Sequence, residues 1–324
     1  MKNDILAIVV PCYNEQEVLD KTNHVLLETL NDLKEKEKIS RKSFLLYVND
    51  GSKDRTWELI RGKYEEDPYV RGISLAGNKG HQNALYAGLM YAREKADIAI
   101  SIDADLQDDV SAIEEMVDKY GEGYDIVYGV RSSREKDSFF KKTTAQGFYK
   151  LMNSLGTKTV YNHADFRLMS KRTLDELSLY GETHLFLRGI APELGFRSTS
   201  VSYARKEREA GESKYPFKKM VSFAFDGITS FSVKPLTLIL FLGIAAIIFS
   251  FVIIIYALVR HFTGATVTGW TSMFASIWFI GGVQLAAIGV VGQYVGKTFI
   301  ETKKRPRYYI SEVLEHNENQ ETEN

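Results

Sequence analysis

The sequence predicts an α/β domain with a mostly parallel sheet, followed by a pair of hydrophobic spans. Three observations carry this. Short apolar runs alternate with helical periodicities over the first two thirds of the chain, and polar clusters follow several of those runs. Beyond them, Pro235 to Ile300 is nearly free of charge. Strands alternating with helices imply parallel pairing through right-handed crossovers, and such sheets bind ligands outside the carboxyl ends of their strands. A chain of 324 residues suffices for one large domain or two smaller ones. Its 41 basic and 42 acidic residues leave a net charge of −1, so no global field points to nucleic acid. The single cysteine, Cys12, excludes an internal disulfide and favours a reducing compartment. Met1-Lys2-Asn3-Asp4 leads directly into a strand without a signal-peptide pattern, so the first domain is expected to fold in the cytosol.

Ile5 to Val10 is wholly apolar, as a strand buried on both faces should be. Pro11-Cys12-Tyr13-Asn14-Glu15 stops it, with Asn14 placed to cap the next helix. Val18, Thr22, Val25, Leu26, Leu30 and Leu33 recur at helical spacing until the charged run Lys34 to Lys38. Phe44 to Val48 is the second strand and ends at Asn49-Asp50-Gly51-Ser52. Asp54 to Tyr64 is helical, Val70 to Leu75 is a third strand, Asn78-Lys79-Gly80 a turn, and Asn83 to Lys95 a helix. A fourth strand starts at Ile98, and Asp125 to Tyr128 is another, leading into Gly129 to Arg134. Lys141 to Leu155 and Arg172 to Leu179 read as helices. Leu187-Arg188-Gly189 and Leu194-Gly195-Phe196 read as turns, and Tyr203 to Tyr215 as a basic loop.

The fourth strand ends in Asp103-Ala104-Asp105. Residues i and i+2 of a strand share a side, so both carboxylates can face one point, and a hard divalent cation would relieve their repulsion. By itself Asp-x-Asp is common, and a strand end followed by an acidic first helical turn, with Asp108 and Asp109 on the helix dipole, explains it as well. The surroundings favour a site. Tyr13-Asn14-Glu15, Asp50, and Asp103 with Asp105 all fall on one rim of the sheet. No Gly-x-Gly-x-x-Gly follows the first strand and no Gly-x-x-x-x-Gly-Lys-Ser/Thr occurs, so phosphates would be handled by metal and side chains.

Leu236 to Val259 carries no charge, and its 24 residues at ~1.5 Å each reach roughly 36 Å, enough for a ~30 Å hydrocarbon core. Thr271 to Gly296 is a second uncharged span. Its Gly289, Gly292 and Gly296 form a small-residue face that could pack against the first span or against another chain, making a homo-oligomer. Phe217 to Lys234 has the pattern of an amphipathic helix lying in a membrane interface. Lysines and arginines flank the hairpin on both outer sides, which predicts a cell-membrane protein whose two ends are both cytoplasmic. The division expected is a cytoplasmic domain 1–216, an interfacial helix 217–234, a hairpin 235–300 and a tail 301–324, with disorder from Glu312 onward.

Several stretches together carry a resemblance: Pro11 to Glu15, Asn49 to Asp54, Asn78 to Gln82, Asp103 to Asp108, and Asp165-Phe166-Arg167-Leu168. The chain resembles the family 2 glycosyltransferases of GT-A fold. Among them it is similar to the bacterial polyprenyl-phosphate glycosyltransferases, which include bactoprenol glucosyltransferases, and to dolichol-phosphate mannose synthase. Where the family has prolines after the Asp-Leu-Gln-Asp run, Asp109 and Val110 stand here. The resemblance implies that Pro11, Tyr13, Glu15 and Asp50 contact the nucleoside, and that Asp103 contacts nucleotide or metal. It implies that Asp105 ligates Mg²⁺ or Mn²⁺ on the diphosphate. Arg131 and Arg134 would lie near the acceptor phosphate, with Arg205, Arg208, Ser213 and Lys214 on a mobile loop over the site.

The implied reaction is inverting transfer of a hexose or N-acetylhexosamine from a UDP-sugar to undecaprenyl phosphate at the membrane. A lipid phosphate is already anionic at neutral pH and needs no general base, so Asp165, of the catalytic trio Asp103, Asp105 and Asp165, reads as an orienting residue or as a salt-bridge partner of Arg167. A processive polysaccharide synthase would resemble its family in a Gln-x-x-Arg-Trp motif and further spans, both missing here. A catalytically inactive membrane scaffold would not need the acids at positions 50, 103 and 105.

Overall fold

The computed structural model describes residues 4–131, 163–182, 187–204, 234–262 and 270–316. They fall into two compact units, one holding residues up to 204 together with 305–316, the other holding 234–304.

In the first unit, β1 (Leu6–Cys12), β2 (Phe44–Asn49), β3 (Val70–Leu75) and β4 (Ile98–Ser101) alternate with α1 (Leu19–Glu35), α2 (Thr56–Glu66) and α3 (His81–Lys95). Next come α4 (Ala112–Gly121), β5 (Ile126–Arg131), β6 (His163–Ser170), α5 (Lys171–Ser178), α6 (Leu187–Glu193) and β7 (Ser198–Tyr203). The sheet order is β7-β5-β6-β4-β1-β2-β3-β8, where β8 is Ile310–Leu314. Pairings β1–β2, β2–β3, β1–β4 and β5–β7 are parallel, while β6 and β8 run against their neighbours. Every residue of β1, β2 and β4 is buried, which explains why these strands read as unbroken apolar runs. Strand order reverses between β1 and β4, so their carboxyl ends flank the switch point where such sheets take ligands. Helix α3 lies tight against this centre. A Cβ at Gly88 would stand 2.4 Å from a Val9 methyl and 2.7 Å from a Val48 methyl, and that close approach sets where the amino end of α3 emerges.

Three sequence expectations change. Asn14 does not cap α1: the helix begins at Leu19 after Val18, and Asn14 adopts φ 56° while its side-chain oxygen accepts from the Lys53 amide at 2.8 Å. The turn read around Leu187-Arg188-Gly189 is the helix α6. The tail is ordered past Glu312, because its acids meet cations instead of water. Ala76 N–H donates to the Tyr309 carbonyl at 2.8 Å, and β8 then pairs with β3. Glu312 accepts from Trp57 Nε1 at 3.0 Å and Arg61 Nη2 at 2.6 Å, Glu315 meets Lys95 Nζ at 2.7 Å, and His316 stacks on Tyr64. The helix expected over Lys141–Leu155 and the interfacial helix before Lys234 lie outside the described residues.

The second unit consists of α7 (Lys234–Phe262) and α8 (Trp270–Thr302), which touch each other. These helices contain the two expected spans, and Phe241, Phe249, Phe279 and Leu285 are exposed on them. Among the described residues, Phe279–Thr302 is long and apolar enough to cross a membrane by length and composition.

Strand β8 closes the β3 edge and buries Leu314. Ending the chain after Tyr309 should cost about 2–3 kcal/mol from that side chain alone, roughly 5–10 °C in Tm. Thermal unfolding of the detergent-solubilised protein measures this, and an unchanged midpoint would contradict the assigned role of β8.

Candidate active site

Four loops meet at the switch point. The β1–α1 and β2–α2 loops brace each other: Asn14 N–H donates to Ser52 Oγ at 3.0 Å, Glu15 N–H to Thr56 Oγ1 at 2.9 Å, and Arg55 N–H to Gln16 Oε1 at 3.1 Å. This frame leaves Tyr13 41% exposed beside the buried Pro11. The Cys12 thiol is buried, and burial together with Glu15 and Asp103 pushes its pKa up, so it packs as a neutral group.

Asp50 is buried at the end of β2 and accepts from the Lys79 amide at 2.6 Å and the Gly80 amide at 2.9 Å. Burial raises its pKa in spite of those donors. Asp50 thus ties the turn before α3 to the sheet. Gly51 (φ +64°) permits this approach, since a Cβ there would lie 2.6 Å from the Asn78 amide nitrogen.

Asp103 and Asp105 do not share a strand face, because β4 stops at Ser101 and Asp105 sits in a turn. That turn is held from both sides. Thr22 Oγ1 on α1 donates to the Ala104 carbonyl at 2.6 Å, and Asp105 Oδ1 accepts from the Gln107 amide at 3.2 Å. Leu106 follows at φ 50°, an uncommon conformation for a branched side chain, as functional turns often show. Burial pushes the Asp103 pKa up to about 6; His81 opposes that shift, while Asp165, Asp108 and Asp105 add to it.

Asp165 lies at the start of β6 and is 3% exposed. Its Oδ1 accepts from Arg167 Nη2 at 2.8 Å and Arg188 Nε at 3.1 Å. Its Oδ2 accepts from Arg188 Nη2 at 3.0 Å and Gln82 Nε2 at 3.0 Å, with His81 Nε2 at 3.4 Å. The same His81 nitrogen stands 3.6 Å from Asp103 Oδ1. Burial alone would raise the Asp165 pKa, but His81, Arg188 and Arg167 hold it well below the usual carboxylate range. Burial would lower the His81 pKa, yet Asp165 and Asp103 raise it, which favours the imidazolium.

Asp108 is no helix-dipole residue either, since α4 begins only at Ala112. It is buried, and its Oδ1 accepts from Arg131 Nη2 at 3.0 Å and Tyr203 Oη at 2.6 Å. Asp108 therefore joins the acidic turn to the carboxyl ends of β5 and β7. Arg131, expected beside an acceptor phosphate, is found on this carboxylate. Arg134, Arg205, Arg208, Ser213 and Lys214 lie outside the described residues.

The structure thus gathers Pro11, Tyr13, Glu15, Asp50, Asp103, Asp105 and Asp165 around one end of the sheet. It adds His81, Gln82, Arg167, Arg188, Asp108 and Tyr203, which the sequence reading did not assign to the site. Asp103 and Asp105 fit a divalent cation. Burial chiefly, with Asp165, Asp108 and Asp105 adding to it, raises the Asp103 pKa, and a cation would compensate the charge of the ionised carboxylate. Among the described residues no group of three His, Cys, Asp or Glu side chains could hold a metal ion, so an ion on Asp103 and Asp105 would need phosphates and water for its other ligands.

The mostly parallel sheet with this acidic turn at its switch point is that of a GT-A fold. The chain belongs to glycosyl transferase family 2, whose model matches residues 7–178, and it is a glycosyltransferase. It is 55% identical over 306 residues to the uncharacterized glycosyltransferase YkoT of Bacillus subtilis, covering 94% of this chain and 91% of that protein. It is 37% identical to a prophage bactoprenol glucosyl transferase homolog of Escherichia coli (95% and 99%). It is 38% identical to the bactoprenol glucosyl transferase of Shigella phage SfX (94% and 98%). A glucosyl-3-phosphoglycerate synthase of Mycobacterium tuberculosis, solved with Mn²⁺, UDP-glucose and phosphoglyceric acid, is 16% identical with a TM-score of 0.43, covering 70% of this chain and 78% of that one. That likeness is too distant to decide the metal or the substrate here.

The raised pKa of Asp103 makes a stability prediction. A carboxyl whose folded pKa exceeds its unfolded value destabilises the fold increasingly as pH rises from the unfolded value, about 4, to the folded one, about 6, and by a constant amount above it. In chelator, Asp103→Asn should therefore raise Tm at pH 7.5, and the gain should shrink as pH falls through 6 toward 5. A gain that stays constant with pH would contradict the placement of this carboxylate.

Proposed function

We propose that this glycosyltransferase moves a hexose or N-acetylhexosamine from a UDP-sugar to a polyprenyl phosphate such as undecaprenyl phosphate, with inversion at C1, at the cytoplasmic face of a membrane. The observation that carries this reading is the Asp103–Asp105 turn at the switch point, in a chain that also holds long helices with exposed apolar side chains. Similarity over nearly the whole length to proteins named bactoprenol glucosyl transferase supports the choice of acceptor.

In this reading Pro11, Tyr13, Glu15 and Asp50 form the nucleoside end, and Asp103 and Asp105 would hold Mg²⁺ or Mn²⁺. The ion, when bound, neutralises diphosphate charge and helps UDP to leave. The acceptor phosphate is already an anion and attacks C1 without surrendering a proton. What the protein must do is bring two anions together, so fixed positive charge outweighs base catalysis. Asp165 suits that division: a carboxylate with a depressed pKa and both oxygens occupied does not take up a proton near neutrality, but it orders cations. Arg131, Arg134, Arg205, Arg208, Ser213 and Lys214 are assigned to the acceptor phosphate on the family resemblance alone.

Two membrane crossings are supported by chain parity. Strands β1 to β7 precede α7, β8 follows α8, and β8 pairs with β3 in the same sheet. Both outer ends of the α7–α8 hairpin therefore lie on one side, which an even number of crossings satisfies and a single one does not. A reporter fused after residue 324 should be active in the cytoplasm, and activity only outside would overturn the topology.

The function itself is tested by divalent-dependent UDP release in the presence of lipid phosphate across a panel of UDP-sugars. Turnover with at least one sugar is expected. Asp105→Asn should abolish it and weaken metal-dependent UDP binding while leaving the melting temperature near that of the parent. Full activity in excess chelator, or in that variant, would remove the metal role.

A further inference from the structure

Two arginines serve the Asp165 carboxylate in different ways. Arg167 is 1% exposed and its guanidinium is enclosed, with Nη2 on Asp165 and Nη1 donating to the Leu187 carbonyl at 2.8 Å. Arg188 grips both oxygens of Asp165 in a two-point fork, yet its side chain is 39% exposed. Its backbone is fixed as well. Leu187, the residue before it, donates its amide to Gln82 Oε1 at 3.1 Å and offers its carbonyl to Arg167, while Gln82 Nε2 itself donates to Asp165. The guanidinium plane is thus set from two directions before any ligand arrives, a degree of order that a long surface arginine ordinarily lacks.

The setting indicates what such a cation would bind. Through His81, Asp165 is one imidazole away from Asp103, the acid assigned to nucleotide or metal. Two guanidiniums, those of Arg167 and Arg188, meet the single carboxylate of Asp165, and Arg188 keeps part of its side chain open to solvent. Arg131, the other guanidinium of the described site, is turned onto buried Asp108. A planar, oriented and partly exposed guanidinium beside a nucleotide site matches phosphoryl oxygens.

We propose that Arg188 is the phosphate-binding cation of the reaction centre and that Asp165 is the residue that positions it. The proposal rests on the glycosyl-transfer reading above and assigns a role to a residue which that reading leaves open. The phosphate is either the donor diphosphate, whose leaving oxygen gains charge as the sugar departs, or the acceptor lipid phosphate. In both cases Asp165 is a positioning residue and Arg188 the group in contact with substrate.

The test uses the full chain in detergent micelles, with UDP, uridine and inorganic pyrophosphate titrated by calorimetry beside steady-state kinetics in lipid phosphate. Arg188→Ala should weaken UDP and pyrophosphate about ten- to a hundredfold and leave uridine within about twofold, if the donor is its ligand. A comparable rise in KM for lipid phosphate with UDP affinity unchanged assigns it to the acceptor. Asp165→Asn should reproduce the same selective loss, and Arg188→Lys, which keeps the charge without the fork, should recover part of it. If the alanine variant does not fold, Arg188→Lys carries the test, with weakened phosphate binding at a retained Tm as the supporting result. Unchanged UDP, pyrophosphate and lipid-phosphate constants would overturn the proposal. So would an equal loss of uridine and UDP, which marks a structural residue. If the parent protein binds pyrophosphate through Arg188 but transfers no sugar, the glycosyl-transfer reading fails and this proposal stands.

Discussion

One buried carboxylate organises the chemistry of this site. Asp165, 3% exposed, is contacted by Arg167, Arg188, Gln82 and His81, and those residues come from β6, α6 and the first turn of α3. Removing such a charge from water is costly, and only a full set of donors offsets that cost. The converse also holds: each donor is fixed because the carboxylate is there. His81 then passes this order to Asp103, so the acidic turn and the arginine cluster are placed relative to one another by a single imidazole. In the proposed reaction two anionic substrates are brought together, which gains most from cations whose positions are settled in advance.

The rest of the first unit supports that arrangement. Gly88 lets α3 press against Val9 and Val48, and Asp50 holds the turn from which α3 starts. The segment after α8 reinforces the same turn from the other side. Tyr309 accepts from the Ala76 amide, Arg307 lies over the Tyr86 ring at 4.4 Å, and Glu315 meets Lys95 at the end of α3. The element that carries His81 and Gln82 is therefore anchored along its length by residues more than 200 positions further along the chain.

Much of this was legible in the sequence because it follows from periodicity. Buried parallel strands read as apolar runs, and the acids that end them mark the rim of the site. What escaped had no local signature. Leu187-Arg188-Gly189 reads as a turn because a seven-residue helix offers too few positions to show a period, and Gly189 and Pro192 discourage a helix assignment. Asp108 reads as a helix-dipole residue because its partners Arg131 and Tyr203 are 23 and 95 positions away. The acidic tail reads as disordered because composition does not reveal that Arg61, Lys95 and Arg71 wait for Glu312 and Glu315. A salt bridge from Asp165 to Arg167 is one of two readings the sequence offers, and the structure forms it. The fork from Arg188 that turns this pair into a site required the fold.

The central claim is that this enzyme works by placing charge and not by removing a proton from its acceptor. Offering the purified protein one UDP-sugar substrate with polyprenyl phosphate and, separately, with the corresponding polyprenol tests this directly, with products identified by mass spectrometry. The account predicts glycosylated product from the phosphate and none from the alcohol, since Asp165, its pKa depressed and both oxygens occupied, is not placed to deprotonate a hydroxyl. Efficient glycosylation of the alcohol would contradict it.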